Sequence, residues 1–268
     1  MRQPHAVLEG VTRVYPGTGD RPPLRALGPI DLTLAHGEFF AVVGPSGCGK
    51  STLLELVAGL QTPTDGRVVF EGTPVRGQVP DGVGVVFQQD ASFPWATVHD
   101  NVAFGLRQRG TPAVEVARRV QSALSLMGLA GFASAYPAQL SGGMRQRMCI
   151  ARTLVLEPRL ILLDEPFGAL DQQTRLLMGD ELLKLWRTTG ATVLLITHAL
   201  DEAAVLADRI GVMSARPGRL LDVIETHWPK DRDSRLLERP ELAGITARLW
   251  AHLRRESMAA LAPGGATP

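Results

Sequence analysis

Phe39-Phe40-Ala41-Val42-Val43-Gly44-Pro45-Ser46-Gly47-Cys48-Gly49-Lys50-Ser51 begins as an apolar run, passes through a glycine-rich turn and ends on a lysine and a hydroxyl. Five consecutive apolar residues closed by glycine read as a strand covered on both faces. Leu53, Leu54, Leu56 and Val57 then recur at helical spacing, with Gly59 as a stop. A buried strand, a glycine loop and a helix are the setting that the pattern G-x-x-x-x-G-K-[ST] requires. Glycines let the backbone wrap a phosphate closely, and the helix start supplies N–H groups and positive field. Lys50 would reach the β- and γ-phosphates of a nucleotide, and Ser51 would hold Mg²⁺. Cys48 reads as a small filler whose backbone faces phosphate.

The rest of the chain supplies the other strands of such a sheet. Leu160–Leu163, Thr192–Thr197 and Ile210–Met213 are further short apolar runs between helical patterns, which predicts parallel strands with helices on both faces. From about residue 90 to 157 no strand is convincing. Helix formers fill Ala113–Met127 and Gly142–Leu156, so this region reads as a helical insertion. The first 36 residues read as an antiparallel β piece whose loop holds Pro16, Gly17, Gly19, Pro22 and Pro23. In the last part, about 220–258, Leu242, Ile245, Leu249 and Leu253 lie at helical spacing beside Arg248, Arg254 and Arg255. That predicts a helical extension packed on the core or on a twin subunit. Residues 1–261 are expected to form a single domain, and the Ala/Gly/Pro-rich 262–268 a disordered tail.

Composition narrows the function. The chain has 268 residues, 45% of them apolar, which is enough to build a core. Its net charge of +1 asks for no nucleic-acid partner. Two cysteines make no disulfide framework and fit a reducing compartment. No apolar stretch approaches the roughly 18 residues of a membrane helix, so any work at a membrane needs another chain to hold it there. Lysine occurs only at 50, 184 and 230 in an arginine-rich chain, which singles out Lys50.

Asp164 and Glu165 end the apolar run Leu160–Leu163. Ligands sit at the carboxyl ends of strands in such sheets. Asp164 suits outer coordination of Mg²⁺, and Glu165, projecting differently, could polarise an attacking water. Upstream, Ser141 is a good helix cap followed by Gly142 and Gly143, so the helix start there is an anion site. Met144, Met148, Ala151 and Val155 along that helix read as core.

Leu140-Ser141-Gly142-Gly143, placed between such a loop and such an acid pair, resembles the signature of the ATP-binding-cassette (ABC) family. The resemblance runs from about residue 6 to 257. Tyr15 matches the aromatic that stacks on adenine, Gln88 the Q-loop, Ala169-Leu170-Asp171 the D-loop, and His198 the switch histidine. Ala199 departs from the Asp that commonly follows that histidine. The fold implied is α/β, a P-loop NTPase core with an N-terminal antiparallel β subdomain and an inserted α-helical subdomain. The resemblance implies that Gly44, Pro45, Ser46, Gly47, Cys48, Gly49, Lys50, Ser51 and Thr52 bind ATP. It assigns Glu165, His198 and Gln88 to hydrolysis, Ser51, Gln88 and Asp164 to Mg²⁺, and Ser141–Gly143 to action across a dimer. Ser92-Phe93-Pro94-Trp95, Asn101-Val102, Thr174-Arg175 and Ser214–Arg219 resemble the ATPase subunits of nitrate, sulfonate, taurine and bicarbonate importers. The implied partners are a second such subunit, a membrane permease and, indirectly, a solute-binding protein. The implied place is peripheral, on the cytoplasmic face of the inner membrane. Cassette ATPases of DNA repair or translation are the alternative; they usually carry a long coiled coil or two cassettes, and this chain has one phosphate loop and no heptad run.

Overall fold

Alternation of apolar and polar residues over 4–35 builds a long hairpin, β1 (Pro4–Tyr15) and β2 (Leu24–Ala35), which buries Ala6, Leu8, Val11, Ile30, Leu32 and Leu34 on one side. The computed structural model describes residues 3–17, 19, 22–89 and 91–261. The apolar run becomes β3 (Phe39–Val43), and the helix behind it α1 (Lys50–Val57). Then follow β4 (Asp65–Phe70), β5 (Thr73–Pro74) and β6 (Val83–Val86), and three helices, α2 (Val98–Gln108), α3 (Ala113–Leu126) and α4 (Gly142–Leu154). The chain closes with β7 (Leu160–Asp164), α5 (Gln172–Thr189), β8 (Thr192–Ile196), α6 (Leu200–Leu206), β9 (Arg209–Met213), β10 (Leu220–Glu225) and α7 (Pro240–Leu261).

Two sheets result. One is antiparallel in the order β2-β1-β4-β5; the other runs β10-β9-β3-β8-β7-β6 and is parallel except for β10. The antiparallel piece therefore reaches beyond the first 36 residues, because β4 pairs with β1. Gly66 makes that pairing possible: a Cβ there would lie 2.4 Å from the carbonyl oxygens of Glu9 and Gly10. The two-residue period of a strand divides β3 between two cores. Phe39, Ala41 and Val43 face the helices of the insertion and α5–α7, with Trp186 edge-on to Phe39 at 5.8 Å. Phe40 and Val42 face α1 and the antiparallel sheet.

Between β6 and β7 the described residues hold the helices α2, α3 and α4 and no strand. The C-terminal extension needs correction. Residues 220–225 form the strand β10, which pairs with β9. Leu220-Leu-Asp-Val-Ile-Glu225 has a burial pattern with one fully buried position, and the free edge of β9 decides its conformation. The helical part begins later, and α7 lies on the core through buried Leu242 and Leu249, with Ile245 and Leu253 partly covered. Residues 262–268, expected to be a disordered tail, lie outside the described residues.

Candidate nucleotide site

The phosphate loop springs from the carboxyl end of β3, in the middle of the parallel sheet. Gly49 adopts φ +104° immediately before α1, a conformation open to glycine. A Cβ there would also lie 2.6 Å from Leu27. The loop's shape is thus set by glycine and by close packing on β2. Lys50 is buried beneath the loop, where its Nζ donates to the carbonyls of Gly44 (2.8 Å) and Pro45 (3.0 Å). Burial holds the Cys48 thiol above its usual range, so the group is neutral and serves as packing.

A cavity of about 360 Å³ opens at this loop. Among its walls are Tyr15, Ser46, Lys50, Ser51, Gln88 and Glu165, residues from four separate parts of the sequence. The Tyr15 hydroxyl donates to Gln61 Oε1 (3.1 Å), and the Arg13 guanidinium lies over one face of its ring at 4.8 Å. The rim aromatic is therefore fixed in place.

β7 delivers the acid pair. Asp164 is 7% exposed and carries the Ser51 hydroxyl as a donor. Desolvation first, and the Glu165 charge after it, push its carboxyl above the usual range. Its Oδ1 is buried with no hydrogen-bond partner. An orphaned buried carboxylate oxygen beside a serine hydroxyl suits a hard divalent cation. Glu165 stands at φ +46°, in the left-handed region that a non-glycine residue occupies at a cost of about 1–2 kcal/mol. Its N–H bonds to the carbonyl of Ile196 (2.8 Å), which ties it to the end of β8. Its Oε2 accepts from Gln88 Nε2 (3.0 Å) and lies 3.1 Å from His198 Nδ1. Three residues far apart in sequence thus meet on one oxygen.

Ser141 and Asp171 are both helix caps. Ser141 accepts from the N–H of Met144 (3.3 Å) at the start of α4. Asp171 accepts from the N–H (2.9 Å) and hydroxyl (2.6 Å) of Thr174 at the start of α5, which holds its carboxyl below the usual range. The two starts are neighbours, since a Cβ on Gly143 would lie 2.7 Å from Leu170. Residues 141–143 do not line the cavity of their own phosphate loop. Two nearby groups were not picked out as site residues from sequence. Arg216 lines the cavity, and Glu202 accepts from the hydroxyl of Thr197, one residue before His198 (2.9 Å). The signal for Arg216 is its place just past the carboxyl end of β9, where such sheets hold ligands.

Fold and site together define a nucleotide-hydrolysing cassette. Residues 27–168 match the family model of the ABC transporter, and the chain belongs to that family. It is an ATP-binding cassette ATPase. An uncharacterized ABC transporter ATP-binding protein of Methanocaldococcus jannaschii is 46% identical over 86% of this chain and 85% of its own. A nitrate import ATP-binding protein of Synechocystis is 43% identical over 86% of this chain and 85% of its own. A taurine import ATP-binding protein of Pelagibacter ubique is 47% identical over 74% of each. Among solved structures, a dimeric ATP-binding cassette in a post-hydrolysis state with ADP and Pi superposes with a TM-score of 0.75 at 32% identity. It is matched over 84% of this chain and 100% of that one.

Proposed function

We propose that this chain is the ATP-hydrolysing subunit of an importer for a small solute, with an anion such as nitrate, a sulfonate, taurine or bicarbonate as cargo class. It would work peripherally on the cytoplasmic face of the membrane, beneath a permease fed by a solute-binding protein. No helix among the described residues is long and apolar enough to cross a membrane. The observation that carries the enzymatic part is the meeting of Gln88 and His198 on the carboxylate of Glu165 at the mouth of the phosphate loop. The cargo class rests on the nitrate and taurine import relatives.

The residues divide the work. Tyr15 offers its ring to the base. The N–H groups of Gly44–Thr52 and the start of α1 take the β- and γ-phosphates, with Lys50 turning from its own loop onto them. The Ser51 hydroxyl, the Gln88 amide oxygen and Asp164 would hold Mg²⁺, which when bound neutralises charge on the phosphates. Glu165 accepts a hydrogen bond from the attacking water and orients it in line with the γ-phosphate. His198 donates to the γ-phosphate and fixes the carboxylate. The last side of the phosphate is left for Ser141–Gly143 of a second copy.

Glu165→Gln keeps the shape and loses the charge that activates water. It is expected to bind ATP with wild-type affinity and to hydrolyse it at least 100-fold more slowly. Full turnover by the variant would remove Glu165 from this role. The same tagged variant, solubilised gently from its host with ATP and Mg²⁺, should bring down a membrane-spanning permease. Recovery of soluble proteins alone would sink the importer reading and leave the ATPase reading standing.

A further inference from the structure

The turn after β9 is built into the nucleotide site from below. Ser214–Arg219 passes between the antiparallel sheet and the phosphate loop. Gly218 donates to the carbonyl of Ala26 (2.9 Å) and accepts from the N–H of Gly28 (2.9 Å). It is flush with the loop, since a Cβ on Gly218 would lie 2.1 Å from the carbonyl oxygen of Cys48. Within the turn, the Ser214 hydroxyl donates to the carbonyls of Ala215 (2.8 Å) and Pro217 (3.1 Å) and accepts from the N–H of Arg219 (2.9 Å). The turn therefore has one shape.

From this base Arg216 reaches the phosphate loop. Its Nε (3.1 Å) and Nη2 (2.9 Å) both donate to the carbonyl oxygen of Gly47. Gly47 sits at φ +73°, and its bond to Cys48 is not among the cis peptides. In a trans peptide the C=O and the next N–H point in opposite directions. Holding the Gly47 carbonyl towards Arg216 therefore turns the Cys48 N–H to the concave side of the loop, where phosphate is received. Within the loop that N–H makes a long bond, 3.4 Å to the Pro45 carbonyl. A charge-assisted pair of bonds is the strong way to fix one peptide plane.

The grip of Arg216 depends on the last helix. The N–H of Ala215 donates to Glu256 Oε2 on α7 (2.8 Å). α7 is itself anchored by Leu242 and Leu249 in the core and by Arg248 (2.7 Å) and His252 (3.2 Å) on Asp222 of β10.

We propose that Arg216 is a positioning residue of the nucleotide site, setting the Gly47–Cys48 peptide for phosphate, and that Glu256 of α7 holds Arg216 in place. The C-terminal helix thereby sets the affinity for ATP. This rests on the phosphate loop binding ATP. The ligand class is the polyphosphate of a nucleotide, and the residue acts through the loop.

The test is titration of the full chain with a fluorescent ATP analogue and Mg²⁺, together with steady-state hydrolysis. Arg216→Ala is expected to raise Kd and KM about tenfold while kcat falls less than threefold. Arg216→Lys, which keeps one donor, recovers part of the loss. Glu256→Ala raises Kd about threefold, and the double variant is no worse than Arg216→Ala, because the two residues act in series. Unchanged Kd and KM in Arg216→Ala would overturn the proposal. So would additive losses in the double variant, or a fall in kcat and nucleotide-free Tm as large as the change in KM. Lys50→Ala serves as control. If the wild type itself fails to bind the analogue, the ATP reading falls first.

Discussion

Glu202 shows what one buried carboxyl does to this fold. It stands on the first turn of α6, and its Oε1 is buried with no hydrogen-bond partner. Its Oε2 accepts from the Thr197 hydroxyl, whose oxygen in turn accepts from the N–H of Ala199 (3.0 Å). Thr197 thus caps the loop that carries His198, at the place where Ala199 offers no side-chain cap. Desolvation pushes Glu202 up to about 7 from an ordinary 4.5. The Thr197 bond and the Arg175 charge on α5 oppose that shift, and Glu165 adds to it. The folded state therefore favours the neutral form. Its stabilising effect is complete below about pH 4.5 and is lost as pH rises to about 7. At 1.36 kcal/mol per unit, the loss is at most about 3 kcal/mol, and the partial solvent contact of the residue reduces it. Glu202→Gln removes the titration. Denaturant unfolding at pH 5 and pH 8 should show the wild type losing stability relative to the variant, and parallel pH dependence in the two proteins would exclude this account.

At the scale of elements, what the sequence discloses depends on how local the cause is. The phosphate loop, α1, β7 with its acid pair, and the cap Ser141 are set by residues within a turn of each other, and the pattern alone predicts them; Asp171 as the cap of α5 shows only in the structure. β4, β6 and β10 are short strands that exist because a neighbour offers an edge. Val83-Gly-Val-Val86 carries three β-branched valines, but four residues interrupted by a glycine become a strand only by pairing with β7. Gln88 and His198 are singled out only by family resemblance, and their meeting on the Glu165 carboxylate shows only in the structure. Arg216 on Gly47 and Glu256 on Ala215 are long-range pairs that no spacing announces. The segment before α2 shows the same division. Ser92-Phe93-Pro94-Trp95 resembles the importer ATPase subunits in sequence, while the device that fixes its aromatics emerges only on folding. Asn101 is fully buried and ties the turn, accepting from the N–H of Phe93 (2.8 Å) and donating to the carbonyls of Phe93, Ala96 and Thr97 (3.0–3.1 Å). Arg152 covers Phe93 at 4.9 Å, and Trp95 stands 77% exposed on this rigid base. An exposed aromatic on a fixed turn is how an interface anchor is built. Trp95→Ala should weaken association with the permease at least 30-fold, about 2 kcal/mol, and leave the ATPase rate of the isolated subunit within twofold. Unchanged transport in reconstituted vesicles would remove Trp95 from the docking surface.

At the scale of the whole molecule, the site is half of something. In the proposed complex one chain would surround the phosphates with Lys50, the loop N–H groups and His198, yet its own capped glycine start at Ser141 lies outside the cavity. That helix start carries exposed N–H groups beside the D-loop, and a second copy could bring it to the γ-phosphate. ATP would then be part of the interface, and hydrolysis would dissolve it. The net charge of +1 leaves little self-repulsion to overcome. Glu165→Gln, which cannot clear its ATP, should run as a dimer in size-exclusion light scattering with ATP and Mg²⁺ and as a monomer without nucleotide. Adding Ser141→Arg puts a bulky cation where the partner's phosphate must sit. The double variant should still bind the fluorescent nucleotide and remain a monomer with ATP present. A dimer that forms regardless of Ser141→Arg would mean that the signature helix does not complete the second site.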